Sequence, residues 1–119
     1  MQYLLLIYGN EAHWGTISES EQNAVMNEYM QYTEDIAKSG HLRGGNELKE
    51  VSTATTVRVR DKKRLVTDGP FAETKEQLGG YYLVECKDLD EAIGLAARIP
   101  SVRWGSIEVR PINPHDMPA

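Results

Sequence analysis

The sequence predicts an α+β domain in which a split βαβ arrangement lays two helices on one face of an antiparallel sheet. Three observations predict it. Residues 3–8 and 81–84 are apolar on both faces, as central strands are. Two amphipathic stretches each open with a capping box, Ser18 with Glu21 and Asp88 with Glu91. The order along the chain reads strand, helix, two strands, helix, strand, with an uncertain extra segment after the first helix.

The first strand, residues 1–8, is closed by Gly9-Asn10, and residues 11–17, of mixed polarity and without period, read as a loop carrying His13 and Trp14. The first helix is expected at about 19–39 on its capping box and the three- and four-residue steps of Val25, Met26, Tyr29, Tyr32, Thr33, Ile36 and Ala37, with Gly40 closing it. Residues 41–51, with Gly44-Gly45, form a short strand or an extended connection. Val57 and Val59 alternate with Thr56, Arg58 and Arg60, the polar insert Asp61-Lys62-Lys63 turns the chain, and Leu65-Val66-Thr67 returns as the second half of a hairpin. Asp68-Gly69-Pro70 must stop it, because proline lacks a donor and restricts the residue before it.

A loop over 71–79 leads to the apolar strand 81–84. The second helix carries Leu89, Ala92, Ile93, Ala96 and Ile99 on one stripe and ends at Pro100. The last strand, 106–112, sets Ile107 and Val109 against Glu108 and Arg110, and its Pro111 demands a sheet edge. The domain is expected to span 1–112, followed by a Pro-rich tail over 113–119. This is the ferredoxin-like pattern.

Two helices on one face leave the other face bare. Leu4, Leu6, Tyr8, Tyr82 and Val84 alternate against Tyr3, Leu5, Ile7, Tyr81 and Leu83, so both faces are apolar, and a second copy is expected to cover the bare one. A homodimer burying sheet against sheet follows, the arrangement of a dimeric α+β barrel.

Composition narrows the partners. Thirteen basic against eighteen acidic residues give a net charge of −5, which opposes nucleic acid and anionic membranes. Lys62-Lys63-Arg64 is too short a cluster for a nucleic-acid footprint. The single cysteine, Cys86, excludes an intramolecular disulfide and reads as a packed hydrophobe in a cytoplasmic protein. No apolar run approaches the roughly 20 residues of a membrane helix. His13, His41 and His115-Asp116 are scattered without ligand spacing, so no metal is expected, and neither a cofactor motif nor a glycine-rich phosphate loop follows the first strand.

Residues 66–82, Val-Thr-Asp-Gly-Pro-Phe-Ala-Glu-Thr-Lys-Glu-Gln-Leu-Gly-Gly-Tyr-Tyr, resemble the signature of the DGPF proteins of the YCII-related family. The likeness extends to residues 3–8, 54–60, 88–92 and 107–111. The resemblance implies a dimeric ferredoxin-like fold, in agreement with the independent reading above. Some members of the family use a His-Asp pair, with the histidine inside the first helix and the aspartate two residues before its terminal glycine. Those places hold Tyr29 and Lys38, so the pair is absent here. Members of the DGPF branch also resemble proteins encoded beside alternative sigma factors, which implies a regulatory setting.

Asp68, at a strand end beside Gly69-Pro70, is the candidate general base; the competing reading is an Asx-type turn. Arg58 and Arg60 share a strand face and suit a carboxylate or phosphate, against solvated residues or cross-strand partners of Glu108. Tyr29, Tyr81 and Tyr82 are candidate pocket residues with apolar bodies and polar tips, or packing residues. Glu73 and Lys75 belong to a polar loop suited to a lid. His13 is a candidate acid/base group because its ordinary pKa lies near neutrality.

Two functions compete. One is a small-molecule enzyme with an Asp68-centred acid/base site in a cleft near the dimer seam, acting on a small anionic or polar ligand. The other is a non-catalytic metabolite-binding or regulatory dimer linked to an alternative sigma factor system. A purely structural role for the motif is the third reading.

Overall fold

The computed structural model describes residues 1–115. It is a mixed α+β fold whose main sheet has four antiparallel strands in the order β2-β5-β1-β6. β1 (Gln2–Gly9) is central, between β5 (Gln77–Glu85) and β6 (Ser106–Pro111). β2 (Leu42–Glu47) flanks β5 at one edge, and β6, with Pro111, lies at the other as expected. Among the described residues no helix is long and apolar enough to cross a membrane.

The uncertain segment after the first helix is the strand β2, and the hairpin expected in the sheet lies outside it. β3 (Thr55–Arg60) and β4 (Lys63–Asp68) pair only with each other as a separate two-stranded sheet. The place beside β5 is taken by β2. β2 qualifies through its glycines. A Cβ on Gly45 would sit 2.8 Å from the Tyr81 carbonyl oxygen and 3.0 Å from the Tyr82 ring, so only glycine lets β2 lie so close to β5.

Both capping boxes form their first bond. The Ser18 side chain accepts from the Glu21 amide at 3.1 Å, opening α2 (Glu19–Lys38), and Asp88 accepts from the Glu91 amide at 2.9 Å, opening α3 (Leu89–Ala97). Gly40, at φ 82°, ends α2 in the left-handed conformation that glycine tolerates. The stretch 11–17, expected as a loop, contains a helical turn, α1 (Glu11–Trp14). Asn10 caps it by accepting from the Ala12 amide at 3.0 Å.

The core lies between the sheet and α2 and α3, joining Tyr3, Leu5, Tyr32, Ile36, Val84, Leu95 and Ile99. Leu95 is buried where the sequence reading had placed Ile93, which is half-exposed. The cross-strand register also corrects the faces. Tyr3 opposes Val84 and Leu5 opposes Tyr82, so Tyr82 and Val84 share the helix side, while Leu4, Leu6, Tyr81 and Leu83 share the other. Cys86 is buried in the core as expected. The expected tail runs past residue 115, so its last four positions lie outside the described residues.

Candidate functional site

A cleft of about 1010 Å³ opens on the helix side of the sheet, between α2 and the β2–β5 edge. The fold makes it by subtraction. Gly44, Gly45, Gly79 and Gly80 contribute no side chains to the floor, so the sheet stays low where α2 passes over it. Ile7 and Tyr82 complete the floor, Val25, Met26 and Tyr29 supply the wall from α2, and Trp14 and Trp104 stand at one end.

The polar groups inside it are hydroxyls. Tyr29 and Ser101 share a short hydrogen bond between their oxygens, and the Tyr82 hydroxyl is 2.7 Å from that of Thr33. Thr33 in turn donates toward the Tyr29 carbonyl at 2.8 Å. Burial holds the Tyr29 hydroxyl above its ordinary pKa of 10.0, partly offset by its bond to Ser101. Burial does the same to Tyr82, partly offset by Thr33. Both phenols are therefore protonated at neutral pH and are not bases; because the Thr33 proton goes to the Tyr29 carbonyl, the Tyr82 hydroxyl donates to Thr33 and offers a ligand an accepting oxygen. The rim is acidic: Glu11, Glu47 and Glu50 line it with a single cation, Lys49.

The structure gathers some of the residues singled out from the sequence and separates others. Tyr29 and Tyr82 are in the cleft. Tyr81 borders it, but its side chain belongs to the opposite sheet face, where its hydroxyl accepts from Asn46 Nδ2 at 2.9 Å. His13 lies against Trp104 with ring centroids 5.7 Å apart and is not part of the lining. Asp68 is exposed at the end of β4 opposite Thr55, and Arg58 and Arg60 are exposed on β3, all outside the cleft of their own chain. Cross-strand pairing of the arginines with Glu108 does not occur, because Glu108 binds Arg110 and lies in the other sheet.

Sequence reasoning missed Ser101, Trp104 and the Glu47–Glu50 segment. The only local signal was Gly44-Gly45, a glycine pair that faces Leu83 and Tyr82 across the sheet and leaves room above it. His41 bridges elsewhere, between Ser39 Oγ at 2.6 Å and Glu91 Oε1 at 3.0 Å, and ties the end of α2 to the start of α3. Among the described residues, no three His, Cys, Asp or Glu side chains converge as a metal-holding group.

Comparison with known proteins bears on the fold and the family. Residues 1–116 match the model of the YCII-related domain. An uncharacterised protein of Rhizobium meliloti (strain 1021) is 36% identical over 124 residues, covering 100% of both chains. Among solved structures, the 5-chloro-2-hydroxyhydroquinone dehydrochlorinase of Burkholderia phenoliruptrix AC1100, in complex with 2,5-dihydroxybenzoquinone, is similar over 95% of this chain and 94% of that one. Its TM-score is 0.55 at 12% sequence identity, a likeness of fold.

Proposed function

The chain belongs to the YCII-related family, and from that premise we propose that it binds a small, uncharged, oxygen-bearing ring compound in the cleft between α2 and the β2–β5 edge. The observation that carries this reading is the pair of protonated phenols, Tyr29 and Tyr82, set in an otherwise apolar and aromatic cavity. Such a site holds a flat molecule by its faces and orients it through one or two oxygens. The acidic rim disfavours anions, so the anionic ligand that Arg58 and Arg60 suggested gives way to a neutral one. The solved neighbour, with its dihydroxybenzoquinone, supports the reading in that this fold accommodates a hydroxylated ring.

Catalysis is a second reading, favoured by that neighbour's being a dehydrochlorinase. In this chain it would use Tyr29 as proton donor, with Asp68 as base only if a second chain carries it to the cleft. The absence of the family's His-Asp pair leaves binding without turnover as the simpler reading.

The working unit in this proposal is a homodimer. Leu4, Leu6, Tyr81 and Leu83 are only half-buried on the sheet face opposite the helices, and a second sheet would cover them. Light scattering should then give about twice the 13.4 kDa chain mass.

A thermal-shift screen of hydroquinones, catechols and quinones tests the site, since any ligand of the native state raises the melting temperature. The expected result is a hit weakened roughly tenfold by Tyr29→Phe, the loss of about one hydrogen bond. Hits confined to anions, or insensitive to both Tyr29→Phe and Tyr82→Phe, overturn the reading.

A further inference from the structure

We infer that the β3–β4 hairpin is an arm that docks on the rim of the cleft in a second copy of this chain; this rests on the homodimer proposed above.

The hairpin is built unlike the rest of the molecule. Val57 and Val66 are opposite one another and both 59% exposed, Val59 is 61% exposed, and these three share one face. Arg64, opposite Val59, and Asp68, opposite Thr55, lie on that face too, while Arg58, Arg60 and Lys63 share the other. A β-ribbon with one bare valine face is marginal in water by itself, because two strands bury too little to hold their own register.

Its position keeps it from its own body. The Gly69 amide donates to the Ala54 carbonyl at 2.7 Å and Thr56 Oγ1 to the Gly69 carbonyl at 2.8 Å, which fixes the root. Six residues of strand beyond that root reach about 20 Å. The Cα radius of gyration is 16.5 Å, where a compact chain of this length would have about 13.5 Å. A hairpin that pairs only with itself adds to that excess.

Charge identifies the occupant. The hairpin, residues 55–68, holds five lysines and arginines against Asp61 and Asp68, while the remaining chain holds eight basic and sixteen acidic residues. Arg58, Arg60, Lys62, Lys63 and Arg64 have no carboxylate partner among the described residues. A cationic ribbon on an acidic body is complementary to another copy of that body. The acidic surface with matching apolar area is the cleft rim, where Glu47 and Glu50 stand beside Trp14, Met26 and Leu48, which are 40%, 46% and 43% exposed. The cleft itself is at the upper limit of ligand pockets, roughly 300–1,000 Å³, and so has room for a cover over a small ligand. Docking there would place the partner's valine face on that apolar rim and the cations on that face and at the tip, Arg64 and Lys62, among the glutamates, and would bring Asp68 of the partner subunit, which shares the valine face, toward a site that its own chain cannot serve.

Charge reversal with compensation tests the arm separately from the dimer. Sedimentation equilibrium would be run on the wild type, on Lys62→Glu/Arg64→Glu, on Glu47→Lys/Glu50→Lys, and on the four-fold variant. Each pair should raise the dimer dissociation constant tenfold or more, about the effect of opposing like charges across an interface, and the four-fold variant should recover most of it. Circular dichroism should be unchanged, because all four side chains are exposed. A monomeric wild type overturns both the dimer and the arm. A dimer indifferent to the arm variants overturns the arm and leaves the sheet-face dimer standing. Weakening by each pair without recovery in the four-fold variant overturns the docking on the rim.

Discussion

The hydroxyls of Tyr29 and Ser101, 72 residues apart in sequence, share a hydrogen bond that joins α2 to the turn after α3 across the cleft. Neither residue is remarkable alone for its type, and their meeting places a polar pair where the surroundings are aromatic and aliphatic. Tyr29→Phe leaves Ser101 Oγ, in a residue only 8% exposed, without this partner. The expected cost is about 1 kcal/mol of stability, read by urea denaturation. Ser101→Ala in the Tyr29→Phe background should then cost almost nothing more, because the two changes remove one interaction.

Alkali should destabilise the fold through its buried phenols. Burial raises the pKa of Tyr29, Tyr32 and Tyr82 above the ordinary 10.0. A group raised on folding stabilises fully below its unfolded pKa, and the contribution disappears as pH rises through the folded one. Stability should therefore fall progressively above about pH 10, as unfolding lets these three phenols ionise. Tyr32→Phe should reduce that dependence, although it also removes the hydrogen bond from its hydroxyl to the Leu95 carbonyl at 2.8 Å. A flat stability profile through this range would contradict the burial of these phenols.

Gly45→Ala places a methyl group against backbone, 2.8 Å from the Tyr81 carbonyl oxygen, which cannot swing aside as a side chain could. Loss of roughly 1–3 kcal/mol is expected, as for overpacking elsewhere. Gly44→Ala is the control, since nothing lies within 4 Å of a Cβ there.

The turn of the hairpin holds Asp61 at φ 51° and Lys62 at φ 63°, the left-handed pair that a two-residue type I′ connection needs. Lys62→Gly relieves that strain by about 1 kcal/mol. The gain should appear as slower hydrogen exchange of the β3 and β4 amides, with the melting of the main sheet barely moved, because the hairpin makes its ladder only with itself.

Asp68→Asn should leave melting within about 0.5 kcal/mol of the parent, since the side chain is exposed and asparagine suits the same turn. If turnover is found and the variant keeps it, the general-base role is wrong; a loss of a hundredfold or more would instead place this carboxylate at the reacting atoms.

What the sequence by itself determined is local or periodic. The capping boxes at Ser18 and Asp88, the glycine stop at Gly40, the alternation in β3 and the doubly apolar β1 each follow from interactions within a few residues, so the α+β class and the helix starts were legible. The family likeness was legible too, in residues 66–82 above all. Only the tertiary structure decided which strands share the sheet. Leu42–Glu47 has little apolar pattern, yet it pairs with β5 because Gly45 permits close approach, whereas the better-patterned Thr55–Arg60 is left on an arm. The cleft was hidden for the same reason. Tyr29, Tyr82 and Ser101 are brought together by packing between elements far apart in the chain, and no spacing rule encodes a distance that long-range contacts alone create. Asp68, conspicuous in sequence beside Gly-Pro, lies outside the cleft of its own chain, because a strand-end position is a local feature that carries no information about which cavity a side chain faces.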